Sequence, residues 1–279
     1  MRYSKTTLTT VLVALVLSVT GCGDEFFTRT PESELTADDF YNSEQDLRMA
    51  TAPLYSRVWF NWNDKASFTI GDARAGNMWS TDPGYQQFAE FSVTRENSRL
   101  NEAWRSLYIA INQSNLVIQN IRNKASGDIE QEAIDAALAE ARFIRGYAYS
   151  YLGQLWGPVP IVTNTPRLID QPDRRRNTTE DVFQFAINDF EFAEENLPTS
   201  AEQPGRLTKW SAKGMLARMH LTRAMYRADG GGMGAIASDE LRTARDYAQE
   251  VIQQSGMSLR DNYGDLFLLG EEEQNNRQE

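Results

Sequence analysis

The chain has 279 residues, 41% hydrophobic and 24% charged, a balance that allows one sizeable buried core and excludes disorder as the default. Its formal net charge is −11 with no long basic stripe to relieve it, so a phosphate backbone is repelled and a nucleic-acid partner is excluded. A single cysteine and a single histidine leave no disulfide, no Cys/His zinc site and no ordinary nucleophile–histidine pair. No cofactor is expected, and an enzyme built on this chain would have to work with carboxylates.

Residues 1–21 open with Arg2 and Lys5, continue through the apolar run Leu8 to Val19 and close on Thr20-Gly21 before Cys22, the pattern of a secretory signal peptide. The run is too short for a comfortable membrane span, and small residues before a cysteine resemble the lipobox, where cleavage leaves an acylated cysteine. Cys22 is therefore expected to carry lipid; the plainer alternatives are the end of an ordinary signal or a free thiol. Residues 22–35, with Phe26, Phe27 and Pro31 and little periodicity, read as an acylated tether. A helix is expected from Thr36, whose side chain would cap it, with Leu47, Ala50, Leu54 and Val58 as its buried stripe. Pro53 should kink or split that helix, because its ring removes a backbone hydrogen bond.

From Phe60 to Ser98 no helical period is sustained, and so long an irregular segment inside a compact domain is usually functional or disordered. Its residue types favour function. Aromatic rings stack on the apolar faces of sugars, and Asp, Asn and Arg bond hydroxyl pairs. Trp62, Asp72, Arg74, Asn77, Trp79 and Tyr85 are the candidate ligand contacts. For any one ring the alternative is that it covers a helix end as part of the core.

Trp104, Leu107, Tyr108, Ile111, Ile118 and Ile121 mark the next helix. The segment Glu140 to Thr163 follows as a core helix, with Ala141, Ile144, Ala148, Tyr151, Leu152 and Leu155 on one face and Phe143 and Tyr147 beside it. Gly157 can close it in a left-handed conformation, and Pro158 and Pro160 force an extended exit. Arg174, Arg175 and Arg176 form the one basic run, read as a solvated loop in preference to an anion site. Thr178 with Asp181 predicts a capping box for a helix striped by Val182, Ala186, Phe190, Ala193 and Leu197. Most carboxylates of that helix, Asp189, Glu191, Glu194 and Glu195, are expected to face water, which leaves a glycosidase pair unsupported. Two further helices, one from about Lys209 to Ala228 with Ala212, Leu216, Met219 and Met225 inward, the other capped by Ser238, should pair closely through Ala244 and Ala248. His220 reads as a packed structural residue.

Glu140-Ala141-Arg142-Phe143, Arg145, Ala148-Tyr149, Leu152 and Trp156-Gly157-Pro158-Val159-Pro160 resemble the signature of the SusD/RagB family of Bacteroidetes surface lipoproteins. Thr30-Pro31-Glu32-Ser33 with Phe40-Tyr41, Gly71-Asp72-Ala73-Arg74, and Gly205-Arg206-Leu207-Thr208 before Ala212 and Leu216-Ala217-Arg218 extend the likeness in order along the chain. The resemblance implies a mainly α fold, a tetratricopeptide-like scaffold of helical pairs with long irregular loops, spanning residues 36–270. It also implies that ligand contacts come partly from the loops of the Phe60 to Ser98 region. A polar tail, 271–279, falls where family members continue for another domain, so a truncation is expected there. The implied function is a non-catalytic, cell-surface lipoprotein that captures oligosaccharide for a TonB-dependent outer-membrane transporter. Gly23-Asp24-Glu25 resemble the signal that sends such lipoproteins to the outer face of the outer membrane. Peptide uptake within the same family and a protein-binding helical-repeat scaffold are the alternatives; the scaffold requires the aromatic loop to pack inward.

Overall fold

In the computed structural model, residues 40–59, 61–164, 174–229 and 235–264 are described. The signal peptide, Cys22, the tether, Thr36 and the 271–279 tail lie outside them. Helix α1 spans Glu44–Thr51. Ser43 makes the cap: its hydroxyl accepts from the Asp46 backbone N–H at 3.2 Å, while the Asp46 carboxylate takes the Ser43 backbone N–H at 2.9 Å. Pro53 splits the expected long helix, for α1 stops at Thr51 and a 3₁₀ turn, Ala52–Tyr55, carries the proline.

The Phe60 to Ser98 segment corrects the sequence reading, because much of it is helical. After a 3₁₀ turn, Arg57–Trp59, two π-helical turns follow, Trp62–Ala66 and Thr69–Ala73, and then α2, Pro83–Ala89. Trp62, Ala66, Thr69 and Ala73 are buried at spacings of four, three and four, and both wide turns pack on α3. Two alanines and a threonine carry that period, and they scarcely register as hydrophobic.

The scaffold is α3, Ser98–Lys124; α4, Gln131–Trp156; α5, Thr179–Asn196; α6, Lys209–Asp229; and α7, Ala235–Gln254. Each packs on its predecessor, and no strand occurs among the described residues. The α4–α5, α5–α6 and α6–α7 pairs are antiparallel: Arg142 meets Asp189 while Gly153 meets Phe183, Lys213 meets Glu194 while Arg223 meets Gln184, and Lys213 meets Glu250 while Arg227 meets Glu240. A Cβ on Gly153 would lie 2.6 Å from the Phe183 ring, so the missing side chain sets how closely α4 approaches α5. Thr178 and Asp181 form the expected capping box on α5. The expected stripes fail at their ends: Leu155 and Met225 are exposed, as is Ile252 near the end of α7, and Ser238 lies inside α7 and does not cap it.

Helix α4 is the centre. Gly157 ends it at φ +68°, its N–H bonding the Gly153 carbonyl at 3.1 Å, and the chain leaves extended as expected. No sheet receives this exit, so side chains satisfy its backbone. The Val162 N–H donates to the Tyr149 hydroxyl at 2.7 Å, the Val162 carbonyl accepts from Asn115 at 2.8 Å, and the Pro160 carbonyl accepts from Tyr108 at 2.8 Å. Burial pushes the Tyr149 phenol well above its ordinary value, which keeps its proton in place.

The charged core of this corner escaped the sequence reading. Asp189 is the exception among carboxylates most of which are expected to face water, for it is 1% exposed. Its two oxygens accept from Arg145 at 2.8 Å each, Arg142 adds a third bond at 2.8 Å, and Arg145 donates its remaining nitrogen to Asn115 on α3 at 2.8 Å. One guanidinium thus joins three helices. Asp189→Ala would leave Arg145 charged and buried without its partner, and should destabilise the fold by about 3–5 kcal/mol in chemical denaturation; a loss under about 1 kcal/mol would show that the ion pair is dispensable.

Candidate functional site

The six candidate ligand residues separate into core and surface. Trp62 belongs to the core: it is 4% exposed and its ring lies 4.8 Å from that of Tyr151 on α4. That corrects its place among the contacts, since a ring covered on α4 has no face to offer. Asp72 is half-buried inside the second π turn, where its carbonyl accepts the Asn77 N–H at 2.9 Å. Tyr85 is half-buried on α2 with the Arg99 guanidinium 5.4 Å over its ring. Arg74, Asn77 and Trp79 are exposed, Trp79 at 69%.

What holds these three is a pair of helix ends. The second π turn closes at Gly76, φ +80°, with Gly76 N–H to Ala73 carbonyl at 3.2 Å and Asn77 N–H to Asp72 carbonyl at 2.9 Å. Helix α2 closes in the same way at Phe91, φ +57°, with Phe91 N–H to Phe88 carbonyl at 3.2 Å and Ser92 N–H to Gln87 carbonyl at 2.9 Å. Both bond patterns are Schellman caps. Between them Trp79 sits in a short loop that Asp82 ends by capping α2, accepting the Gly84 N–H at 2.7 Å behind Pro83. Asn97 then ties α2 to α3. Its oxygen accepts from the Arg99 and Leu100 N–H groups at 2.9 and 3.1 Å, and its amide donates to the Gly84 carbonyl at 3.1 Å and to Gln87 at 2.9 Å.

Two exposed rings of this region were missed. Phe91 is 68% exposed with the Arg74 guanidinium 4.7 Å over it, and Phe68 is 48% exposed. The positive φ of Phe91 has no sequence signal, because glycine is the residue that usually advertises such a cap.

A cleft of about 740 Å³ opens elsewhere, between α1, the start of α4 and residues 195–207. Among the described residues no aromatic side chain lines it, and its carboxylates, Glu44, Glu130, Glu132, Asp135, Glu140, Glu195 and Glu202, share it with two cations, Arg48 and Arg206. Arg206 is fully engaged, bonding Glu140 and Thr51 at 2.7 Å and the Arg48 carbonyl at 2.9 Å. The cleft offers nothing for a sugar face to stack on. Among the described residues no group of His, Cys, Asp or Glu is arranged to hold a metal ion. His220 is the packed residue expected, 2.7 Å from the Glu240 carboxylate and stacked on Tyr247.

The sequence profile of SusD-like proteins, described as starch-binding and associating with the outer membrane, matches residues 25–221. The chain belongs to the SusD-like family. A SusD-like protein of Bacteroides ovatus is 38% identical over 269 residues, which are 96% of this chain and 48% of that protein. A crystal structure with xylogluco-oligosaccharide is 40% identical and superposes at a TM-score of 0.72 over 79% of this chain and 43% of the other. Another crystal structure, 39% identical, superposes at 0.76 over 82% and 44%. The chain spans about half the length of the relatives it matches.

The residues between Glu140 and Pro160 that resemble the family signature are structural here. Glu140 binds Arg206, Arg145 binds Asp189, Tyr149 holds the exit segment, and Trp156 packs edge-on against Trp104. They fix the scaffold, and the exposed rings stand outside them. The division can be tested on two tryptophans. Trp62→Ala should destabilise the protein by about 3–5 kcal/mol, as removal of a large buried ring does, whereas Trp79→Ala should change stability by less than about 0.5 kcal/mol; equal effects in denaturant titrations would overturn the assignment of core and surface.

Proposed function

We propose that this protein is a non-catalytic, cell-surface lipoprotein that captures oligosaccharide and delivers it to a TonB-dependent outer-membrane transporter. The observation that carries the reading is Trp79, a large ring 69% exposed on a loop fixed at both ends, which follows the exposed Arg74 and Asn77 in the chain. A solvated indole face stacks on a sugar ring, and exposed Arg and Asn side chains on the same segment supply bonds to hydroxyls. The relative whose structure contains xylogluco-oligosaccharide makes that oligosaccharide the first ligand to try. An exposed Trp79 disfavours the protein-only scaffold, which requires the aromatic loop to pack inward. The sugar in that relative favours an oligosaccharide over the peptide alternative.

The location follows the family description, which associates these proteins with the outer membrane. A lipid on Cys22 would supply the attachment, since among the described residues no helix is long and apolar enough to cross a membrane. Asp24 and Glu25, which follow Cys22 after one glycine, support an outward-facing anchor.

Trp79→Ala should weaken binding of xylogluco-oligosaccharide by about 1–3 kcal/mol in calorimetry, the scale of a buried aromatic anchor. Undiminished affinity in that variant would move the site elsewhere. Cys22→Ala should shift the protein from the membrane to the soluble fraction, because each buried methylene of a lost acyl chain contributes about 0.8 kcal/mol; unchanged fractionation would remove the lipid anchor from the reading.

A further inference from the structure

Phe91 occupies the position of a helix cap that glycine normally fills. The equivalent position of the preceding cap is glycine, Gly76 at φ +80°, whereas the α2 cap places a phenylalanine at φ +57°. An L side chain is strained there. Burial does not offset the strain, since Phe91 is 68% exposed. Strain kept at an exposed position points to a use for the side chain. The ring's structural contact is Arg74, whose guanidinium carbon lies 4.7 Å from the ring centroid. Arg74 is itself exposed and has no carboxylate partner among the described residues, although the protein carries a net charge of −11.

We infer that Phe91 is a positioning residue for sugar binding: its ring holds the Arg74 guanidinium in place by cation–π attraction, leaving the N–H donors of Arg74 for the hydroxyls of a neutral glycan. This rests on the glycan-binding reading above. An aromatic face attracts a guanidinium without consuming its N–H groups, so Arg74 is ordered and its donors stay available. A carboxylate partner would order the arginine equally well but would occupy those donors. An ordered arginine loses less side-chain freedom when ligand arrives, which is how a residue that need not touch the sugar raises affinity. The glycine cap of the preceding turn lies two residues beyond Arg74 and the aromatic cap lies under it, so one local device fixes both the arginine's backbone and its head group.

The test uses the whole mature chain with xylogluco-oligosaccharide as the probe. Arg74→Ala should weaken binding about tenfold or more, and Phe91→Gly about two- to fivefold. The double variant should bind no worse than Arg74→Ala alone, because Phe91 acts through Arg74, and Phe91→Tyr should retain affinity. Relief of strain should leave the Tm of Phe91→Gly unchanged or raised by up to about 3 °C. Multiplying losses in the double variant would overturn the inference by making Phe91 a contact in its own right. A clear fall in Tm for Phe91→Gly would overturn it by making the ring structural. If the unaltered chain binds no oligosaccharide, the glycan reading fails, and the pairing is still decided by NMR. The Arg74 Nε–H resonance should show a ring-current shift that Phe91→Gly abolishes and Phe91→Tyr preserves, and a resonance indifferent to Phe91 overturns the pairing.

Discussion

The fold depends on one buried ion cluster. Asp189 on α5 is nearly inaccessible, and its carboxylate is shared by Arg142 and Arg145 on α4, while Arg145 also reaches Asn115 on α3. A carboxylate removed from water would be costly alone, and saturating both its oxygens with guanidinium donors is what makes the site tolerable. Saturation has geometric consequences. The forked donors fix the rotation of α4 about its axis, and the approach that permits 2.8 Å contacts needs the neighbouring positions to be small. Gly146 fits that need, for a Cβ there would lie 3.0 Å from the Asp189 Cβ. Asn115 answers twice, accepting from Arg145 and donating to the Val162 carbonyl, so the same cluster positions the extended exit after Gly157.

Much of this was legible in the sequence, and the boundary has physical reasons. The α3, α4 and α5 stripes stand out because large apolar residues recur at helical spacing, and Thr178 with Asp181 or Gly157 before Pro158 are local chemical signals that need no tertiary context. The buried role of Asp189 is invisible to such a reading, since its partners lie more than forty residues away in the chain. Leu155, Met225 and Ile252 continue an apolar period and still face outward. The wide turns between Trp62 and Ala73 read as loop because alanine and threonine carry their buried face. At the site, the exposed rings were partly readable: Trp79 stood out among polar residues, whereas nothing in the sequence separated it from the buried Trp62 or marked Phe91 as a left-handed cap.

Scaffold and site are consequently built by different interactions. Along α3 to α5 the helices are held by large apolar faces and the buried cluster, and the Glu140 to Pro160 block of the family likeness lies there. The candidate contacts sit on connections whose ends are fixed by backbone caps and by Asn97, which bonds α2 and α3 together through four contacts. Loops anchored in this way can change their side chains without disturbing the helices.

Helix α7 is attached by a different balance again. Its Glu240 receives bonds from Arg223 and Arg227 and lies 2.7 Å from the His220 ring, and Glu250 at its far end is bonded by Lys213, which Glu194 of α5 also holds at 3.1 Å. Burial alone would raise the Glu240 carboxyl, but the hydrogen bonds from His220 and Arg223 outweigh it and hold the group below its ordinary value. A depressed carboxylate contributes stability that is present above its unfolded-state value and is lost as pH falls through the folded one, so the contribution of Glu240 is complete at neutral pH. Exposed ion pairs would be weak cement, but these are mostly buried, with the side chains of Arg223 and Glu240 9% and 10% exposed. The last pair of helices is therefore joined by directional charge contacts, which set its register where the buried Ala237 and Ala244 of α7 are too small to interlock.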